Sequence, residues 1–411
     1  MPDANPKPNP KPDPNRIRSI DVLRGLTILV MLFVNDVAGV ADAPAWMKHV
    51  FPSTADGMTF VDVVFPAFLF IVGLSLPLAL ERRLGKGRLS AAGHILTRTL
   101  ALLVIGVFMV NTENISGKGP LNPGIWQLLL YAALCLVWIS PSKDRRILVW
   151  IRRAAGAAML IVLVFLYRGE PDLVPLRTQW WGILGLIGWA YLVTSLLYLA
   201  LRKDALGFAA GVSLLYCVFA ADAAGFFGFL GSFNNFISIG SMLGSHAAVT
   251  ASGALLGIVL FQPGRTHGSR IGSILKFAGV LAAAAVLLHS LNGVHRIFIY
   301  NKNAATPPWC LLSSAWTALI FAVLYFLVDV KGLGFGTRMI ASAGQNALFA
   351  FILGPIAYIL IGWLPLSIGG KHFYWGWLGG FPAGLFRSLV FAVLATALTA
   401  WLQRRGRALR L

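Results

Sequence analysis

The stretch Ile20–Pro77, IDVLRGLTILVMLFVNDVAGVADAPAWMKHVFPSTADGMTFVDVVFPAFLFIVGLSLP, decides the fold class and shows where to look for chemistry. Two apolar runs, Leu26–Val34 and Val63–Leu80, enclose a polar segment holding Asn35, Asp36, Asp42, Lys48, His49, Asp56 and Asp62. Apolar runs of this kind read as bilayer spans. Ionisable groups at the edge of such spans are costly to place and are functional candidates by default. A histidine, an amide and several carboxylates therefore gather within 28 residues at one membrane face.

The same pattern continues outward from this stretch. The chain has 411 residues, 57% hydrophobic and 12% charged, whereas a soluble domain is about 25% charged. Runs long enough to cross a bilayer as helices recur throughout, and the ~10-residue alternation of a β-barrel is missing. The fold class is all-α, a polytopic membrane protein with about twelve spans, near 20–40, 58–80, 92–111, 123–140, 146–168, 179–200, 205–224, 241–261, 271–291, 308–330, 340–362 and 380–402. Arg152 and Arg153 inside the fifth make eleven the alternative. Phe226, Phe227 and Phe233 suggest a re-entrant or interfacial piece. The expected divisions are a disordered Pro-rich tail at 1–18, a transmembrane domain at 19–403 and a basic tail at 404–411. The polar, Pro-rich start predicts no cleavable signal peptide.

The net charge is +19. In a soluble protein that would suggest nucleic acid; in a membrane protein it is the excess Lys and Arg of cytoplasmic loops. No nucleic-acid partner is expected. With the N-terminus inside, loop Lys and Arg divide 21 inside to 7 outside, which places both termini in the cytoplasm. Cys135, Cys217 and Cys310 sit in apolar segments as small hydrophobes, and no metal site is expected.

With this orientation Asn35, Asp36, His49, Asp62, Asn292 and Asn301 fall at the outer ends of spans. Histidine is the usual general base near neutral pH and needs a partner to fix its tautomer. Asp36, Asp56 or Asp62 can serve, and Asn35 can donate to a developing oxyanion. Each has a plainer reading: His49 as a loop histidine, Asp62 as a helix-start acid, Asp36 as a residue facing water. Arg18, Asp21, Arg24 and Arg98 mark the inner ends. Asp21 and Arg24, three apart, form an ion pair on one helix face. Arg18 and Arg98 are topology-setting residues or phosphate binders. His246, in GSHAA, reads as a satisfied core group on a small-residue face.

RIRSIDVLRGLTILVMLFVN and DGMTFVDVVFPAFLFIVGLS resemble the heparan-α-glucosaminide N-acetyltransferase family of transmembrane acyltransferases. The matching positions are Arg18, Ser19, Asp21, Arg24, Gly25, Asn35, His49, Asp62, Phe65 and Pro66. Weaker echoes follow at LNPGIWQLLL, at YNKNAATPPW with Asn301, Lys302 and Asn303, and at AGQNALFAF with Asn346. The resemblance implies transfer of an acetyl group from cytosolic acetyl-CoA, as co-substrate, to an amino sugar across the membrane. It implies His49 as the catalytic residue with Asn35 assisting. Charged CoA cannot cross the bilayer, so the basic groups at the inner mouth, Arg18, Arg24 and Arg98, are expected to hold its phosphates, and the outer-end residues Asp36, Asn292 and Asn301 are expected at the acceptor. The His49-to-Asp62 interval is longer than in the sugar-amine enzymes, and Phe51-Pro52 replaces an expected Trp. The heparan substrate is therefore not carried over. The expected partners are the lipid bilayer of a bacterial inner membrane, a sugar or glycan acceptor and a second copy of the chain. The competing readings are a proton-coupled secondary transporter of a small solute and a membrane scaffold.

Overall fold

The computed structural model describes residues 17–50, 52–140, 146–334 and 336–409. Most of the expected Pro-rich tail, together with Phe51, Lys143 and Arg145, lies outside them. Helices run as α1 (Arg18–Val37), α2 (Val64–Leu84), α3 (Arg88–Asn111), α4 (Pro123–Trp138), α5 (Arg146–Leu166), α6 (Gly182–Leu201), α7 (Ala205–Ala223), the one-turn α8 (Ser232–Phe236), α9 (Ala247–Leu260), α10 (His267–His289), α11 (Pro307–Leu324), α12 (Thr337–Gly344), α13 (Ala347–Trp363) and α14 (Ala383–Arg404). A wider π-helical turn, Ile239–His246, leads into α9, and another, Tyr325–Val330, extends α11.

Among the described residues nine helices are long and apolar enough to cross a membrane, or ten if the bent pair α12 and α13 counts as one span. The expectation of twelve is not reached by this measure, for identifiable reasons. Asp21, Arg24 and Asp36 make α1 less apolar than its neighbours. The 16 residues of α4 rise only about 24 Å, short of a ~30 Å hydrocarbon core. Arg152, whose position inside α5 cast doubt on that span, donates to the Leu136 and Ile139 carbonyls at 3.1 and 2.6 Å and closes the end of α4.

Apolar side chains gain little by leaving lipid for one another, so close backbone approach holds such a bundle together. A side-chain carbon on Gly73 of α2 would strike the Thr250 carbonyl, and one on Gly253 of α9 the Phe70 carbonyl. Gly25 of α1 and Gly344 of α12 meet Ile340 and Asp21 in the same way. The Ile239–Leu260 segment is consequently the most buried, while α5, α7 and α10 expose most of their surface. Asp329 accepts from the Arg18 and Ser19 N–H groups at 2.9 and 3.0 Å, capping the positive end of α1 with a carboxylate.

The α12–α13 pair bends by 89°. At the bend, buried Asn346 accepts from the Leu409 N–H at 3.0 Å and donates to the Arg407 carbonyl at 3.2 Å. The described part of the expected basic tail thus folds back on the bundle, with Ala408 and Leu409 buried.

Gly253→Leu should prevent assembly of α2 against α9. Backbone oxygen, rather than a movable side chain, is what the new carbon meets, so the cost should exceed the usual ~1–3 kcal/mol of overpacking. Size-exclusion profiles and melting curves in detergent check this; a monodisperse variant melting with the wild type would refute it.

Candidate functional site

After α1 the chain leaves the bundle, makes a short turn at Ala45–Met47 and returns through Phe60–Val63 into α2. Asp62, its side chain 1% exposed, lies at that return and faces His49, which is 30% exposed. His49 Nδ1 stands 2.7 Å from Asp62 Oδ1. The second carboxylate oxygen accepts from the Thr59 N–H at 3.0 Å, and Thr59 Oγ1 donates to the Lys48 carbonyl at 2.9 Å. A buried carboxylate beside an imidazole accepts a hydrogen bond from Nδ1–H, which keeps the proton there and leaves the lone pair on Nε2.

The chain around 289–306 forms the other wall. Asn301, fully buried, donates to the Pro52 and Ala55 carbonyls at 3.1 and 2.8 Å. The Gly57 N–H donates to the Tyr300 carbonyl at 2.9 Å. Asp56 accepts from the Tyr300 N–H at 2.8 Å and from Asn292 at 3.2 Å, and it meets His289 Nε2 at 2.8 Å. The His289 ring stacks on Tyr300 at 4.0 Å. Burial opposes ionisation of Asp56, but the Tyr300, His289 and Asn292 hydrogen bonds outweigh it and hold the carboxyl below its usual value. Lys302 projects from this wall with Nζ 3.2 Å from His49 Nδ1 and 3.3 Å from Nε2. Burial lowers the Lys302 pKa, with the Asp62 charge pulling the other way.

The remaining residues singled out in the sequence separate into three environments. Asn35 is exposed at the end of α1. Asp36 beside it is buried and accepts from Arg387 Nε at 2.9 Å and Ser388 Oγ at 2.6 Å, with the Tyr374 hydroxyl closing the set. This carboxylate ties α1 to α14; it does not face water. Arg24 and Arg98 line one cavity of about 420 Å³ together with Ser75, Gln345, Met31, Phe68 and Phe351. Arg24 pairs with Asp21 at 3.4 Å and donates to Ser75 at 3.2 Å, so the ion pair and the cavity are readings of the same side chain. Arg98 lies 4.7 Å from the Tyr191 ring centroid, and its Nε finds no hydrogen-bond partner among the described residues. Arg18 is exposed, its backbone rather than its guanidinium held by Asp329. His246 is buried, and its Nδ1 has no hydrogen-bond partner among the described residues, so it is not the satisfied group expected; Phe65 packs edge-on against its ring.

Sequence reasoning did not single out Lys302 or Arg387 as site residues. Lys302 was visible in YNKNAATPPW, yet 253 positions separate it from His49. Arg387 lies 351 positions from Asp36, with no local pattern joining them.

A polytopic helical membrane protein with a carboxylate–imidazole pair at one end and an arginine-lined cavity nearer the other is the class this geometry defines. The description "domain of unknown function (DUF5009)" matches residues 16–212. The chain is similar to heparan-alpha-glucosaminide N-acetyltransferase of Homo sapiens, 28% identical over 375 residues, covering 82% of this chain and 52% of that protein. The Mus musculus protein of the same name is 27% identical over 373 residues, covering 82% and 53%. The resemblance carried by the opening motifs is thus borne out over most of the chain, which spans about half the length of the curated relatives it matches.

The Asp56 anchorage should show in the pH dependence of stability. A carboxyl held below its unfolded value of 3.8 stabilises the fold above that pH, and the contribution is lost as pH falls through the folded value. Asp56→Asn should therefore melt below the wild type at pH 7, and the gap should narrow as the pH falls below 3.8. A gap that stays constant as the pH falls below 3.8, or none at pH 7, would show that the charge of Asp56 does not hold the two walls together.

Proposed function

We propose that this chain is a membrane-embedded acyltransferase. It moves an acetyl group from cytosolic acyl-CoA to an amine or hydroxyl of a sugar or glycan on the outer face of a bacterial plasma membrane. The observation that carries this reading is His49 Nδ1 at 2.7 Å from buried Asp62, in a chain similar to N-acetyltransferases.

The chemistry follows from the tautomer. Asp62 holds Nδ1–H, so Nε2 takes the proton from the acceptor amine or hydroxyl as it attacks the thioester carbonyl. The tetrahedral adduct collapses with cleavage of the carbon–sulfur bond, and the departing thiolate recovers the proton from the imidazolium. Asp62 stabilises that imidazolium while it lasts. Asn35 donates a hydrogen bond where negative charge develops on oxygen.

Arg24 and Arg98 hold the donor phosphates at the basic end, joined by Arg18 at the mouth, with Gln345 and Ser75 as hydrogen-bonding partners. Arg24, Met31 and Asn35 share a face of α1, and its 11-residue span covers about 16 Å along the axis. In this reading an extended thioester arm lies along that face, from the guanidinium groups toward Asn35. Of the three residues expected at the acceptor, exposed Asn292 offers a surface to a sugar, while Asp36 and Asn301 support the framework. The transporter reading is weaker, because the paired histidine and carboxylates gather at one end and transporter sites lie near the midplane.

Acetyl-CoA at a hundred times its Kd should stabilise the purified protein by about 2.7 kcal/mol, seen as a raised Tm. His49→Ala should keep that shift while acyl transfer falls ~10²–10⁴-fold. Asn35→Ala should lose ~10²–10³-fold, and the two losses should fall short of additive. Near-normal turnover by His49→Ala, or no thermal response to acetyl-CoA, would defeat the proposal.

A further inference from the structure

We propose that the Lys302 ammonium takes up the negative charge formed on the acyl carbonyl oxygen. The inference rests on the acyl-transfer reading and adds a residue to it.

Lys302 Nζ lies 3.2 and 3.3 Å from the two nitrogens of His49, within reach of any atom reacting at Nε2. Its backbone is fixed. Asn301 bonds across to Pro52 and Ala55 and accepts from the Ala304 N–H at 2.9 Å. The Thr306 hydroxyl accepts from the Asn301 N–H at 3.0 Å and donates to the Ile299 carbonyl at 2.7 Å. The cation is half-buried, and among the described residues it forms no direct ion pair; the Asp62 carboxylate is occupied by His49 and Thr59. A sheltered cation without a contacting anion is costly. The arrangement is accounted for if the anion arrives during the reaction, since preorganised charge counts most where charge develops.

The charges also balance. As the acceptor gives its proton to Nε2 and its electron pair to the carbonyl carbon, the carbonyl π pair moves to oxygen. An imidazolium and an oxyanion appear together. Asp62 faces the first and Lys302 the second. On collapse the oxyanion re-forms the carbonyl, the carbon–sulfur bond breaks, and the thiolate takes the proton from His49. Lys302 keeps its proton throughout.

The test uses the purified full chain in detergent with acetyl-CoA and glucosamine, comparing wild type, Lys302→Ala, Lys302→Arg and His49→Ala. Lys302→Ala should lower kcat ~10²–10³-fold with both KM values within about threefold, the signature of an interaction made in the transition state. Methylammonium should restore part of the Lys302→Ala rate and none of the His49→Ala rate. Lys302→Arg should retain more activity than Lys302→Ala. A lysine that merely braces the loop would give a lower kcat without amine rescue, and that result would overturn the proposal. So would a folded Lys302→Ala working at the wild-type rate. If Lys302→Ala does not fold, Lys302→Gln carries the same kcat prediction. An inactive wild type would remove the acyl-transfer reading and this role together, whereas an active wild type with an active Lys302→Ala removes this role alone.

Discussion

The site depends on the junction between two segments that are remote in sequence, residues 45–62 and 289–306. Asn301 sits between them with no exposed surface and satisfies two carbonyls of the opposite segment. Each such bond is worth about 1 kcal/mol net, and leaving a buried acceptor unpaired costs ~1–3 kcal/mol. Removing the amide therefore costs more than the two bonds it makes. Gly57 and Asp56 bond to the Tyr300 backbone and fix the register of the two walls. With that register set, Lys302 comes within hydrogen-bond distance of His49, which Asp62 holds from within its own loop.

The helices below make the junction rigid. Carboxylates anchor α1 at both ends: Asp329 caps its first turn, and Asp36 ties its last turn to Arg387 on α14. The Asp36–Arg387 pair is almost fully buried, at 1% and 4% exposure. Breaking one partner of such a pair typically costs ~3–5 kcal/mol, because the other charge is left uncompensated. Glycine contacts set the close approach of α1 to α12 and of α2 to α9. One edge of α1, through Arg24 and Met31, thereby stays on the arginine-lined cavity.

What could be read from the sequence follows the range of the interactions. Helix positions were legible because apolar periodicity is local, and each expected span contains a helix. The short α4 and the 89° bend at Gln345–Asn346 were not, since they depend on where the helix ends and on a returning chain end. His49 and Asp62 could be suspected as a pair because 13 residues separate them in one loop. Asp36 looked like a solvent-facing acid because its partner Arg387 lies on the last long helix. Lys302 stands in the YNKNAATPPW echo, but nothing near position 302 signals that the loop folds against position 49. Asn301, expected at the acceptor, and Asp56, a candidate partner of His49, are structural ties between the two loops in space.

The central claim is that Asp62 makes His49 a base by holding its proton on Nδ1. The most direct measurement is acyl transfer by Asp62→Asn, in protein shown to fold by its melting curve. An asparagine amide can donate to Nδ1 and force the proton onto Nε2, which removes the base without removing the imidazole. The account predicts a fall in kcat of about 10⁴-fold, with acetyl-CoA binding unchanged. A folded Asp62→Asn turning over within about tenfold of the wild type would contradict it.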